Sequence, residues 1–156
     1  ALVAAALLQD ACGVDEVRFR AVVGVELYRE LHEGAERVRA LLAAAAPERA
    51  AVIEPTCGDM LELDWWTGTD IVFAHCTCFD DAMMRAVAAR AGALREGALF
   101  ITVSLALVLP LFDLVATLEC RTAWSGACSV MVHVHRRNAT PRDAPSEPPL
   151  CTAGAV

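Results

Sequence analysis

Short apolar runs alternate with longer amphipathic segments along most of the chain. The runs are rich in β-branched residues, which predicts strands buried on both faces. The four runs that predict strands are 19–25, 50–53, 70–74 and 99–103. Segments 27–46 and 80–94 carry apolar residues at helical spacing, and we expect Pro47 and Gly97 to end these helices.

The last third of the chain follows a different pattern. Segment 111–118 predicts a short helix, and segments 119–123 and 129–135 predict two strands. Trp124-Ser125-Gly126 between them is a turn signal, so the two strands are expected to form a hairpin. Residues 138–156 are rich in Pro, Ala and polar residues without periodicity, which predicts a disordered tail.

Strands that alternate with helices predict an α/β fold, here a Rossmann-like, doubly wound sheet with an antiparallel terminal hairpin. This order fits class I methyltransferases better than dinucleotide dehydrogenases. Residues 1–8 indicate a helix without a capping residue at its start. Because a doubly wound sheet grows outward from its first strand, we expect that central strand and its glycine-rich loop to be missing. Residues 1–137 are then a partial methyltransferase domain.

Composition narrows the class of partner. The chain has 156 residues, 56% of them hydrophobic, and a formal net charge of −7. That charge argues against direct sequence-specific nucleic-acid binding, which needs clustered cations. Seven cysteines without regular spacing indicate reduced intracellular thiols rather than a disulfide framework. The uncharged segment 98–112 is shorter than the roughly twenty residues that cross a bilayer, so no membrane span is expected.

Two acidic residues stand where predicted strands end. Glu26 follows the run that ends at Val25, and Asp59 follows Gly58 after the next strand. Ligands of open α/β sheets bind at this edge, where one carboxylate can accept hydrogen bonds from a ribose and the other from an adenine amine. The alternatives are a helix N-terminal acid at Glu26 and a surface turn at Asp59, with Met60 in the core.

A polar loop follows the third predicted strand. His75 lies in this loop, and histidine is a residue type that can remove a proton at neutral pH; the alternative is an imidazole that shapes the loop. His75, Cys76 and Cys78 are too crowded to converge on one tetrahedral metal ion, so no metal site is expected. His133 and His135 alternate on the last strand and are expected to share a surface-facing side.

Four segments of the chain resemble, in order and spacing, the histone-lysine methyltransferases of the disruptor-of-telomeric-silencing family. They are Val23-Gly24-Val25-Glu26-Leu27, Gly58-Asp59-Met60-Leu61, the strand and loop at 70–79, and 94–102. The resemblance covers residues 1–137. It implies a class I fold and S-adenosylmethionine as the cofactor, with Glu26 on the ribose and Asp59 on the adenine amine.

The resemblance also implies roles for the remaining site residues. The set implied to bind the cofactor is Glu26, Leu27, Gly58, Asp59, Met60 and Cys76. Met60 stands where the family usually has an aromatic ring. His75 and Cys76 occupy the positions of a loop asparagine pair, and Phe79 that of the family's closing aromatic residue. His75, in the substrate channel, and Phe79 are therefore the candidate catalytic positions.

The resemblance further implies a protein substrate, a histone or nucleosome, and a nuclear location. The replacement of the asparagine pair by His75 and Cys76 bears on lysine specificity, and no basic nucleosome-binding segment is present. Two other classes stay open: a non-catalytic Rossmann-like interaction module and a nicotinamide-dependent oxidoreductase. The terminal hairpin and Asp59 count against the oxidoreductase. The sequence gives no oligomeric state.

Overall fold

The computed structural model describes residues 19–122 and 126–136, and the predicted elements at 1–8 and 138–156 lie outside them. The strands in this part are β1 (Val22–Glu26), β2 (Ile53–Cys57), β3 (Ile71–Ala74), β4 (Leu99–Val103), β5 (Phe112–Thr122) and β6 (Gly126–His135). The helices are α1 (Arg29–Ala45), α2 (Pro47–Ala50) and α3 (Asp81–Ala91). The chain divides between Trp65 and Trp66 into two compact units.

The first unit contains a parallel pair of strands connected through α1 and α2. β1 pairs with β2 in a register that runs from Val22 opposite Ile53 to Glu26 opposite Cys57. Pro47 ends α1, as expected, because it lacks the N–H that would continue the helix. The same residue then begins the one-turn helix α2, since its fixed φ suits a first helical position.

The prediction of a strand at 50–53 was wrong, because β2 begins at Ile53. The apolar residues before β2 belong instead to the helical turn that begins at Pro47. The Ala50 N–H donates a hydrogen bond to the Ala46 carbonyl, and the Ala51 N–H donates one to the Pro47 carbonyl. β2 includes Pro55, which has no backbone N–H to donate to a neighbouring strand. Proline is therefore typical of strands at the edge of a sheet. Among the described residues, β2 pairs only with β1.

The second unit is built on a four-stranded mixed sheet of order β3-β4-β6-β5. β3 runs parallel to β4, whereas β6 lies between β4 and β5 and is antiparallel to both. Phe100, Thr102 and His133 are almost fully buried in this unit. The Phe100 and Phe112 rings pack edge to face with centroids 6.1 Å apart, so β4 and β5 contribute to one core.

The predicted helix at 111–118 is instead the first part of β5. Leu111, Leu114, Val115 and Leu118 recur at helical spacing, which is why the local pattern misleads. Pairing with β6 overrides that pattern, and a β-bulge between Leu114 and Ala116 shifts the register within the strand. The predicted hairpin is confirmed, with strands longer than expected at 112–122 and 126–135.

Helix α3 also ends earlier than predicted. It stops at Ala91 with Gly92 as its C-cap, and Gly97 lies beyond it in the turn that leads to β4. Gly97 adopts φ +79°, a conformation that glycine accepts without strain, and its N–H bonds to the His135 carbonyl at 2.9 Å. Asp80 caps the helix start by accepting a 2.8 Å hydrogen bond from the Met83 N–H.

The described strands form two sheets rather than the one sheet expected: β1-β2, and β3-β4-β6-β5. The α/β class and the antiparallel terminal pair are confirmed. None of the helices in residues 19–122 and 126–136 combines the length and apolar character that a membrane span requires.

Candidate functional site

The first group of candidate residues lies at the carboxyl edge of β1 and β2. Glu26 is the last residue of β1, and its register partner Cys57 is the last residue of β2. The Gly58 N–H extends the pairing by one bond, a 2.9 Å contact to the Glu26 carbonyl oxygen. Glu26 and the loop that begins at Gly58 therefore meet at one strand edge, as the sequence predicts.

The Glu26 carboxylate is positioned by the start of the following helix. Its Oε1 atom accepts a 3.0 Å hydrogen bond from the Tyr28 N–H, while the Tyr28 carbonyl accepts bonds from the first turn of α1. Glu26 thus stands at the N-terminus of a helix, which is the alternative role that the sequence predicts for this acid. Among the described residues Oε2 takes no hydrogen bond, so it can still accept one from a ligand. Leu27 beside it is 59% exposed.

Asp59 opens a tight turn after β2. Its Oδ1 accepts a 2.7 Å hydrogen bond from the Leu61 N–H, and its carbonyl accepts bonds from the Glu62 and Leu63 N–H groups at 3.0 Å. Met60 is half-buried, and its carbonyl oxygen accepts a 2.7 Å bond from the Trp65 indole N–H. The turn is therefore held by the Asp59 carboxylate and carbonyl and by the Trp65 indole.

Gly58 packs closely against the Leu63 side chain in this turn. A Cβ atom at this position would lie 2.7 Å from Cδ1 of Leu63, well inside van der Waals contact. The absence of a side chain at Gly58 leaves room for the Leu63 side chain. The sequence identifies the glycine but gives no signal for its packing partner.

The second group lies in the loop after β3, in the other unit. Cys76 is fully buried, and its thiol donates a 3.1 Å bond to the Ala74 carbonyl. Burial raises the pKa of the Cys76 thiol, which keeps it protonated. His75 is exposed, with Nδ1 3.3 Å from the Thr77 hydroxyl oxygen. The Phe79 N–H closes the loop on the Cys76 carbonyl at 2.9 Å.

Ser104 is a residue of this edge that sequence reasoning missed. It follows the last residue of β4, the strand beside β3, and adopts φ +67°, which is costly for a residue with a side chain. Its N–H donates a 2.8 Å bond to the Ser129 carbonyl, which holds the conformation. Since glycine and asparagine are the usual residues there, the serine gives no advance signal.

The histidines of β6 differ from expectation. They share one side of the strand, but that side is buried, with His133 at 1% and His135 at 4% exposure. The surface placement was wrong because β6 is an inner strand, between β4 and β5. His133 Nδ1 lies 3.0 Å from the Phe100 carbonyl oxygen, and Nε2 accepts a 3.1 Å bond from the Leu107 N–H. Both ring nitrogens of His133 therefore have hydrogen-bond partners within the core.

The structure thus brings the predicted site residues together in two groups. Glu26, Leu27 and the turn at 58–60 form the first group, in the first unit. His75, Cys76 and Phe79 form the second group, in the other unit. The geometry of each group is defined by its own backbone hydrogen bonds. Ligand contacts by any of these residues remain predictions.

Two solved structures share this arrangement of strands and helices. The Escherichia coli protein yhhF, named as a candidate methyltransferase, aligns with a TM-score of 0.58 at 15% identity over 76% of this chain and 66% of its own. The candidate methylase HI0767 from Haemophilus influenzae aligns with a TM-score of 0.55 at 14% identity over 75% and 73%, respectively. The fold is that of these two proteins.

No protein-family model matches the chain, and no curated protein does. The chain spans 66% of the yhhF structure and 73% of the HI0767 structure, so part of each has no counterpart here. At 15% and 14% identity the likeness shows a shared Rossmann-like α/β fold and does not extend to the histone-lysine family.

Proposed function

We propose that this chain belongs to an S-adenosylmethionine-dependent methyltransferase that acts on protein lysine. The observation that carries the proposal is the parallel pair β1-β2, whose carboxyl edge presents Glu26 beside Gly58 and Asp59. The two solved structures with this fold, both named as candidate methylating enzymes, support the chemistry. The lysine specificity, the histone or nucleosome substrate and a nuclear location rest on the family resemblance alone.

The residues at this edge fit the adenosine half of the cofactor. The Glu26 Oε2 atom has no hydrogen bond among the described residues and can accept one from a ribose hydroxyl. Asp59 uses Oδ1 for its own turn, which leaves its second oxygen for the adenine amino group. Met60, next in the turn, is half-buried and can lie against the ring. When bound, S-adenosylmethionine supplies an activated methyl group on a sulfonium sulfur.

The protein's part in methyl transfer is positioning, because an amine that enters neutral needs no general base to attack. The family resemblance alone assigns the loop at 75–79 to the substrate path; within the loop, the burial of Cys76 and the Phe79 N–H bond fix the backbone. His75 is exposed on this loop and bonded to Thr77. We assign it to the lining of the substrate path, with proton removal as the alternative.

The deciding experiment is transfer of a tritium-labelled methyl group by the full-length gene product onto nucleosomes, free histones and a cell extract. Label in protein, lost in Glu26→Ala and retained in the matched variant Glu54→Ala, is the expected result. Glu54 is an exposed carboxylate at the second position of β2, away from the carboxyl end of the strand. Absence of both transfer and cofactor binding would indicate the interaction module, and saturable nicotinamide binding would indicate the oxidoreductase.

A further inference from the structure

Two cysteines face each other across the terminal hairpin. Cys120 in β5 and Cys128 in β6 are direct partners in the antiparallel register. Direct partners project from the same face of the sheet, with Cα atoms about 4.5–5.5 Å apart. Disulfides usually join residues whose Cα atoms are about 4.4–6.8 Å apart. The backbone therefore already holds this pair at a distance that a disulfide can span.

Backbone hydrogen bonds show which kind of pair this is. The Ser104 N–H donates a hydrogen bond to the Ser129 carbonyl, so the backbone N–H and C=O groups at odd-numbered positions of β6 point toward β4. The Arg136 N–H donates a hydrogen bond to the Leu111 carbonyl, so the backbone groups at even-numbered positions point toward β5. Cys128 thus belongs to a hydrogen-bonded pair, the wider kind, with Cα atoms about 5.5 Å apart. This spacing is close to the commonest Cα separation of disulfides, and a bond that includes the exposed Cys120 is accessible to reductants.

The two thiols differ in exposure. Both are free, but Cys120 is exposed, whereas Cys128 is only 9% exposed. A reagent in solution therefore reaches Cys120 first. Cys128 lies directly opposite in the register, where its thiol can act as the second thiol. This is the usual arrangement of an attacking and a resolving cysteine.

We propose that Cys120 and Cys128 form a reversible cross-strand disulfide by exchange with a small disulfide such as oxidised glutathione. The Cys120 thiolate attacks one sulfur of the small disulfide, forms a mixed disulfide and releases one small thiolate. The Cys128 thiol loses its proton and attacks the Cys120 sulfur, releasing the second small thiolate. Two protein thiols are oxidised to one disulfide while the small disulfide is reduced to two thiols.

The bond would restrain a defined part of the second unit. The last β4 residue in the sheet, Val103, pairs with Val130, so the hairpin extends past the end of β4 toward its turn. Cys120 and Cys128 lie in this extension, at the sheet edge where β3 and β4 also end. Oxidation therefore stiffens the projecting end of the hairpin. The inference does not depend on the proposed methyl transfer.

The experiment treats the folded full-length protein with oxidised glutathione, blocks the remaining thiols with an alkylating reagent and identifies linked peptides by mass spectrometry. The expected product is a peptide pair joined through Cys120 and Cys128, which dithiothreitol reverses. In Cys128→Ser the reaction should stop at one glutathione on Cys120. The Cys78→Ser variant, which removes another exposed thiol, should leave the cross-link unchanged.

Several outcomes would overturn the proposal. One is stable glutathionylation of Cys120 in the folded wild-type protein without a link to Cys128. Another is no modification of either residue, or a link from Cys120 to Cys57 or Cys78 in equal yield. Should Cys128→Ser lose its native circular dichroism spectrum, Cys120→Ser at the exposed position takes its place, with Cys128 expected to stay unmodified.

Discussion

The backbone N–H of Gly58 lies 2.9 Å from the carbonyl oxygen of Glu26 and donates a hydrogen bond to it. This bond follows the last pair of the parallel register, Glu26 with Cys57, and ties the loop after β2 to the end of β1. The main chain, rather than the side chains, therefore sets the separation between the two acidic positions. Changes to the Glu26 and Asp59 side chains should alter ligand contacts while leaving the strands in place.

The first prediction concerns Glu26. Replacing it with alanine should weaken S-adenosylmethionine binding by about 1–3 kcal/mol, the cost of leaving a ligand hydroxyl without its acceptor. That corresponds to roughly a five- to 150-fold rise in Kd. Isothermal titration calorimetry on the full-length protein measures the change.

The matched control for Glu26 is Glu54→Ala, because Glu54 is an exposed carboxylate on the neighbouring strand. Its Kd should stay within twofold of the wild-type value. An unchanged Kd in Glu26→Ala, with a native circular dichroism spectrum, would remove Glu26 from the ligand site.

The second prediction concerns Gly58. Because a Cβ atom there would approach Cδ1 of Leu63 to 2.7 Å, Gly58→Ala should displace Leu63 and the turn that begins at Asp59. We expect a loss of stability of about 1–3 kcal/mol, typical of overpacking, together with weaker cofactor binding. Urea denaturation and calorimetry report the two effects.

A double variant separates steric crowding from a loss of glycine flexibility. In Gly58→Ala/Leu63→Ala the clash is gone, so cofactor affinity should recover toward that of Leu63→Ala alone. If adding Gly58→Ala to Leu63→Ala weakens binding as much as it does in the wild-type background, crowding by Leu63 is not the cause.

A structural element can be predicted from the sequence when the interactions that determine it are made by residues close to one another along the chain. Glu26 was correctly placed at the end of a strand because the apolar run that ends at Val25 marks that end directly. Asp80 was expected at a helix start and is the residue that caps it. In each case a few neighbouring residues determine the structure.

The predictions that were wrong depend on distant partners. Leu111, Leu114 and Leu118 have helical spacing, yet the segment is a strand because β6 pairs with it. His133 was placed at the surface because its own strand shows no sign of lying between two others. Ser104 adopts a left-handed φ that only its bond to the Ser129 carbonyl explains. Such long-range pairings are invisible in a local window of sequence.

The third prediction tests the helix cap. The Asp80 carboxylate accepts the Met83 N–H at 2.8 Å, so Asp80→Ala should lower the free energy of unfolding by about 0.5–2 kcal/mol. Asp81→Ala is the control, since Asp81 is in the first turn but is not the capping residue, and its loss should cost less. Equal losses in the two variants, measured by urea denaturation, would mean that the general helix dipole rather than the cap is responsible.

The fourth prediction concerns pH and His133. Burial lowers the pKa of this imidazole below its usual 6.5, and the Leu107 N–H donates to Nε2, which must stay unprotonated. The unfolded chain therefore binds a proton more readily than the folded protein does. The stability contributed by the neutral ring is fully present above pH 6.5. It is lost as the pH falls from that value through the folded pKa.

Urea denaturation of the full-length protein between pH 8 and pH 5 measures this dependence. His133→Asn should lower stability at pH 8 by about 2–5 kcal/mol, because it leaves the buried Leu107 N–H or the Phe100 carbonyl without a partner. It should also flatten the fall below pH 6.5. His75→Asn, at an exposed histidine, should retain the wild-type slope. A slope that survives in His133→Asn would assign the proton uptake to another group.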